Sequence, residues 1–190
     1  MSEVKPQALR AEALEAILIE KGLLTPDAVD GVIAQFNERV GPMNGARVVA
    51  RAWTDPAFKQ QLLSNGSVAI EEFDFSGGEV DKLVVVENTA NVHNVVVCTL
   101  CSCYPWALLG LPPAWYKDPA YRSRIVREPR KVLSEFGLNL PDETDVQVWD
   151  SSAEIRYLVL PQQPANLAGL AEDDLVEHIT RDSMIGVARL

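Results

Sequence analysis

The chain has 190 residues, 47% hydrophobic and 23% charged, with a net charge of −10. That is enough for one sizeable core or a core with an appended segment, and the balance is too apolar for a disordered protein. The acidic surface argues against nucleic acid, which needs clustered positive charge, and against anionic membranes. No apolar run reaches the roughly 20 residues a spanning helix needs, and Met1-Ser2-Glu3-Val4-Lys5-Pro6 lacks the pattern of a secretion signal. All three cysteines fall between Cys98 and Cys103. An odd, crowded set suits no secreted disulfide framework and predicts a reducing, cytoplasmic setting.

Residues 6–21 carry Leu9, Ala13, Leu14, Ile17 and Leu18 at helical spacing, and Gly22 is a stop signal. Thr25-Pro26-Asp27 joins a cap, a proline at the first helical position and an acid in the first turn. It starts a second helix through Val29, Val32, Ile33 and Phe36, which ends by Gly41-Pro42. Ala46 to Thr54 forms a third pattern, and Asp55-Pro56 starts a fourth that runs to Gly66. These 66 residues hold no histidine, cysteine or glycine-rich phosphate loop, and read as a packing arm.

Leu83 to Val86 and Val92 to Val97 are unbroken valine-rich runs, which predict strands covered on both faces. The polar stretch Glu87 to Asn91 between them reads as a hairpin loop or the end of a connection. Residues 104–118, with prolines at 105, 112 and 113, read as a loop anchored by Trp106, Trp115 and Tyr116. Asp118-Pro119 opens a helix, and Pro129 starts another that ends at Gly137. Val146 to Trp149 and Ile155 to Leu160 read as strands with a turn over 150–154, and Glu172 to Thr180 as a late helix. The expected fold class is α+β: a helical N-terminal arm over 1–66, then a layered α/β domain over 67–190 carrying a Cys-rich metal loop.

Cys98-Thr99-Leu100-Cys101-Ser102-Cys103 brings three sulfurs to one point. Four readings of it are open. The cysteines can be small buried hydrophobes. They can hold structural zinc, with His93 or His178 as a fourth ligand, although no second C-x-x-C pair exists. They can hold an iron–sulfur cluster, which usually takes one cysteine more. Or the turn at Cys101-Ser102-Cys103 can aim its backbone nitrogens inward, making a five-donor claw that leaves a Lewis-acid position open.

The stretch Val97 to Trp106 resembles the metal-binding signature of the nitrile hydratase α subunit. The resemblance continues through Leu109-Gly110-Leu111-Pro112-Pro113, Trp115-Tyr116-Lys117, Tyr121-Arg122-Ser123-Arg124 and Val148-Trp149-Asp150-Ser151, with Arg156-Tyr157 and Thr180 to Ala188. It is strong over residues 80–190 and loose over the N-terminal helices. It implies a hydro-lyase that turns nitriles into amides on non-corrinoid cobalt(III) or non-haem iron(III). Cys98, Cys101 and Cys103 would supply sulfur, and Ser102 and Cys103 backbone nitrogen. Cys101 would be oxidised to sulfinic acid and Cys103 to sulfenic acid. Thr99 and Tyr104 resemble the cobalt-type members, where iron-type members carry serine and threonine, so cobalt(III) is favoured over iron(III).

In the implied mechanism the nitrile binds the metal, and the Cys103 sulfenate, or a water it activates, attacks the carbon. The implied partner is a β subunit, in an αβ heterodimer or (αβ)2, whose two arginines hold the oxidised sulfurs; a metallochaperone or activator protein is a further partner. Trp106 is a candidate wall of the substrate pocket, or a loop anchor. Arg122, Arg124, Arg127 and Arg130 are candidates for contacts across subunits, and Arg156, if buried, needs a paired acid. His93 and His178 read as structural. Pro161-Gln162-Gln163-Pro164 departs from the family, whose members often carry arginine before the second proline. The rival readings are the metal-binding subunit of thiocyanate hydrolase and a non-enzymatic zinc-binding structural protein.

Overall fold

Capping chemistry sets the helix starts. The computed structural model describes residues 6–38, 41–75 and 82–190. Helix α1 spans Pro6–Glu20 and α2 spans Pro26–Glu38, joined by a turn in which Gly22 takes a φ of 68°. The Thr25 hydroxyl accepts from the Ala28 amide at 3.2 Å, as the cap signal predicts. Leu9, Leu14 and Ile17, expected on one apolar stripe, are exposed, as are Val32 and Ile33. The side chain of Phe36 lies outside the described residues.

The chain divides into two compact units, Met1–Arg39 and Val40–Leu190. The expected boundary at residue 66 differs from this division. Helix α3 (Pro42–Thr54) buries Ala46, Val48, Val49 and Ala52, and packs against later helices of the second unit. Helical periodicity shows that a face is apolar; it does not say which core receives it. Helix α4 (Pro56–Ser64) is capped by Asp55, which accepts from the amides of Ala57 and Phe58 at 2.9 and 3.1 Å. Helix α5 (Gly66–Ala69) and a 3-10 turn, Ile70–Phe73, complete the helical run.

Strand β1 is Leu83–Glu87 and β2 is Val92–Val97. They are not a hairpin. β1 pairs in parallel with β4 (Arg156–Leu160), and β2 pairs in parallel with β3 (Asp145–Asp150). A parallel strand buried on both faces needs no alternation, which accounts for the valine runs. The switch between sheets is held by two buried asparagines. The Asn88 side-chain oxygen accepts from the Asn94 backbone amide at 2.7 Å, and the Asn94 amide group donates to the Glu87 carbonyl at 2.8 Å. The Trp149 indole N–H reaches the Asn94 side-chain oxygen at 2.7 Å. These bonds satisfy polar groups that a hairpin ladder would otherwise have paired.

The stretch after the cysteines, expected as loop, contains α6 (Trp106–Leu109) and a 3-10 turn, Ala114–Lys117. Proline is tolerated at a helix start, and Pro105 stands just before α6. Helix α7 (Pro119–Ile125) is capped by Asp118, and α8 spans Pro129–Glu135. The expected late helix is shorter than its pattern: α9 is Glu172–Val176. Thr180 is instead the cap of α10 (Arg181–Ile185), accepting from the Ser183 amide at 3.2 Å. Helix α3 packs against both α6 and α9, while α10 lies against β4, α3 and β2. Among the described residues no helix is long and apolar enough to cross a membrane.

Gly186 follows α10 with a φ of 91°, and a Cβ there would stand 2.0 Å from the Asn94 carbonyl oxygen. Its own carbonyl accepts from His93 Nε2 at 2.7 Å. His93 is fully buried, and burial lowers its pKa, so the ring is the neutral tautomer with its proton on Nε2. Nδ1 then accepts from the Asn88 amide group at 3.4 Å. Gly186→Ala should destabilise the protein by about 3 kcal/mol or more, from overpacking plus a strained φ. Chemical denaturation reads this; an unchanged midpoint would contradict the close approach.

Candidate metal centre

Parallel strands deliver their loops to one edge, and in open α/β sheets ligands bind beyond the C-terminal ends of strands. The cysteine loop leaves β2 at that end. The last rung of the β2–β3 ladder pairs Val97 with Asp150, so Asp150 arrives beside the start of the loop. Its carboxylate accepts from the Thr99 amide at 2.9 Å and from the Thr99 hydroxyl at 2.6 Å. The Tyr116 hydroxyl donates to the Cys103 carbonyl at 3.0 Å, and Arg122 Nη1 donates to the Cys101 carbonyl at 3.0 Å. Tyr121 ties α7 to β2 through a 2.8 Å bond to the Val96 carbonyl. Burial pushes the Tyr116 and Tyr121 phenols far above their usual range, so both stay O–H donors.

Within this frame the three sulfurs lie within 4.8 Å of one another, with Cys98 buried, Cys103 half-buried and Cys101 exposed. Cys98 Sγ is 3.5 Å from Cys101 Sγ, which is 3.2 Å from Cys103 Sγ. The Cys101 amide donates to Cys98 Sγ at 3.2 Å. The amides of Ser102 and Cys103 both point at the Cys101 sulfur.

The sulfurs share protons unequally. A hydrogen bond from the Cys103 thiol, followed by those from Cys98 and the two amides, brings the Cys101 thiol down to about 7. Desolvation, then the hydrogen bond given to Cys101, pushes Cys103 up to about 12; the nearby Arg156 guanidinium opposes this. The Cys101 thiolate is therefore formed near neutral pH, with Cys103 keeping its proton.

Each expected site residue has a definite place. Cys98, Cys101 and Cys103 meet, with Ser102 between the last two. Trp106 stands at the first position of α6 with 41% of its surface exposed. The two histidines are not part of the cluster: both ring nitrogens of His93 are engaged elsewhere, and His178 is exposed on the segment after α9. Among the described residues no other group of three metal-ligating side chains forms. A tetrahedral zinc knot thus lacks its fourth side chain, whereas three soft sulfurs plus inward amides fit a five-donor set.

The arginines have partners within the chain. Arg124 pairs with Glu128 and Glu135, Arg127 donates to the Ser123 carbonyl, and Arg130 to carbonyls of the 140–144 loop. Arg156, which would need a paired acid if buried, is half-buried and donates to the Ser152 carbonyl. Gln163, at the position of the family departure, donates to the Leu167 carbonyl at 3.2 Å. Asp150 and Arg122 were not legible as parts of the centre, because their placement depends on strand register and on how α7 docks.

Three cysteine sulfurs gathered on a loop beyond parallel strands, framed by an acid, an arginine and a tyrosine, mark a protein of mixed helix and strand with a candidate metal site. The family model for the nitrile hydratase alpha chain matches residues 5–188. The low-molecular weight cobalt-containing nitrile hydratase subunit alpha of Rhodococcus rhodochrous is 54% identical over 181 residues, 95% of this chain and 87% of that one. A double mutant of the Fe-type nitrile hydratase from Comamonas testosteroni Ni1 superposes with a TM-score of 0.92 at 44% identity, covering 100% of this chain and 92% of the other. Thiocyanate hydrolase subunit gamma of Thiobacillus thioparus is 40% identical over 199 residues, 99% of this chain and 82% of that one. The chain belongs to the nitrile hydratase α-chain family, and its cysteine cluster is the metal-binding site of such a subunit.

In metal-free protein, iodoacetamide should label Cys101 first, with a rate that rises through a midpoint near pH 7 as its thiolate forms. Cys103 should lag until strongly alkaline pH. Peptide mass spectrometry checks this, and equal labelling of the two at neutral pH would contradict the proton sharing.

Proposed function

We propose that this α subunit hydrates a nitrile to its amide at a trivalent cobalt ion. The ion would be held by the sulfurs of Cys98, Cys101 and Cys103 and the backbone nitrogens of Ser102 and Cys103. The observation that carries this reading is the convergence of three sulfurs and two amides within one loop. Cobalt rather than iron is supported by the cobalt-containing relative, which is closer in sequence than the Fe-type structure. When bound, the ion supplies Lewis acidity that polarises the C≡N bond.

The chain's own residues then have distinct tasks. Cys101 would carry sulfinic acid and Cys103 sulfenic acid, formed from the thiols with dioxygen or a peroxide as the oxidant. The Cys103 oxygen, or a water it orients, is the nucleophile at the nitrile carbon; where the Cys103 oxygen itself passes into the amide, the S–O bond breaks and a water replaces that oxygen on the sulfur. Trp106 offers an aromatic wall to the substrate. Asp150 and Tyr116 hold the two ends of the loop, which keeps the nucleophile in place without reorganisation during reaction.

A β subunit completes the pocket, in an αβ heterodimer or (αβ)2, with loading aided by an activator protein. The exposed side of the claw supports this: Leu100 beside Cys101 is 85% exposed, and Leu111 is exposed as well. Leu9, Leu14, Ile17, Val32 and Ile33 of the N-terminal unit give a second apolar surface for the partner. An odd set of three cysteines crowded into one loop suits a reducing, cytoplasmic compartment.

The test is the co-expressed αβ complex. It should contain cobalt, carry two oxygens on Cys101 and one on Cys103 by mass spectrometry, and hydrate aliphatic or aromatic nitriles. Cys103→Ala should abolish turnover. Zinc with unoxidised cysteines would sink the reading, and turnover of thiocyanate alone would replace it with the thiocyanate hydrolase one.

A further inference from the structure

The peptide joining Cys101 to Ser102 has one edge toward the sulfurs and the other toward a cation. On the inner edge, the Ser102 N–H points at the Cys101 sulfur. The described residues contain no cis peptide, so the Cys101 carbonyl in the same plane faces the opposite way. There it accepts the 3.0 Å bond from Arg122 Nη1.

Arg122 is committed to this contact. Among the described residues no carboxylate forms an ion pair with it, although Arg124, two residues further along the same helix, pairs with two. Its Nε is buried without an acceptor. An arginine held near a carbonyl at the expense of a buried donor is not simply a solvated helix face. The neighbouring Tyr121, through its bond to the Val96 carbonyl, fixes the helix that carries Arg122 to the strand that carries the cysteines. The other two ties fall elsewhere: Asp150 binds Thr99, and Tyr116 binds the carbonyl of Cys103, whose peptide supplies neither proposed nitrogen ligand.

We propose that Arg122 is a positioning residue for the metal centre, holding the Cys101–Ser102 peptide with its carbonyl outward and the Ser102 nitrogen turned toward the metal. The inference rests on the reading above, in which that nitrogen is a ligand. Besides Arg122, the Cys101 amide's bond to Cys98 Sγ restrains the middle of the loop on its sulfur side, and the preceding Leu100 is exposed. Losing the guanidinium lets this peptide rotate, which withdraws a donor while all three sulfurs remain.

The experiment compares co-expressed αβ complexes made at limiting cobalt: wild type, Arg122→Met, Arg122→Lys and Arg124→Met. Readouts are cobalt per complex, the sulfur-to-cobalt charge-transfer band, the oxygens on Cys101 and Cys103, and thermal stability. Arg122→Met should hold roughly tenfold less cobalt, the scale of loss when an outer partner of a metal ligand is removed. Any cobalt it retains should show a shifted band. Arg122→Lys, which restores one cationic donor, should recover part of the loading and return the band toward wild type. Arg124→Met breaks the ion pairs between α7 and α8 without touching the loop, and should load normally even if its melting point falls. Wild-type loading and an unchanged band in Arg122→Met would overturn the proposal alone. So would equal cobalt loss in Arg124→Met at a matched fall in stability. A wild-type complex without cobalt would overturn the reading on which the proposal rests. Should Arg122→Met fail to assemble, Arg122→Gln decides: reduced loading with a shifted band supports the proposal, and wild-type loading with an unchanged band overturns it.

Discussion

The metal centre depends on the last rung of one short parallel ladder. Pairing Val97 with Asp150 ends β2 where the cysteine loop must begin and brings a carboxylate to its first free amide. Because side chains alternate across a strand, a slip of one residue would turn Asp150 to the other face and leave Thr99 without its two bonds. The same register aligns Ser151, whose amide donates to the Val97 carbonyl at 2.7 Å, so both strands end together.

Around that rung the protein anchors the loop through polar groups that leave its sulfurs unengaged. The carboxylate of Asp150, the guanidinium of Arg122 and the phenol of Tyr116 all grip backbone or side-chain groups on the outer side of the loop. None of these groups uses a sulfur. The sulfurs are left to interact with one another and with inward amides, which lowers the proton affinity of the most exposed, Cys101. A loop tethered at Thr99, Cys101 and Cys103 keeps its shape before an ion arrives, so less ordering has to accompany binding. Leu100, Cys101 and Trp106 are all exposed.

The buried polar network next to β2 serves the same end from below. Asn88, His93 and Asn94 carry the chain from one sheet to the other, and their partners come from β3 and from Gly186 after α10. Each polar group finds a partner, which is what makes such a network tolerable in a core. It also fixes the start of β2, and with it the reach of the strand to Cys98.

Much was legible in residue order because the relevant physics is local. Caps and prolines at Thr25, Asp55 and Asp118 set helix starts, valine runs marked buried strands, and the C-x-x-C-x-C spacing concentrated three sulfurs within one turn of chain. Other features rest on contacts between residues far apart, which periodicity does not encode. Tertiary structure alone decided that β1 and β2 enter different sheets, that α3 joins the main core, and that Thr180 begins a helix. It alone brought Asp150 to Thr99 across 51 positions, and Arg122 to Cys101 across 21. The sequence by itself determined that three sulfurs meet, since Cys98, Cys101 and Cys103 lie within six residues; strand register and helix docking determined the frame that holds them, because hydrogen bonds across such distances exist only once the chain has folded.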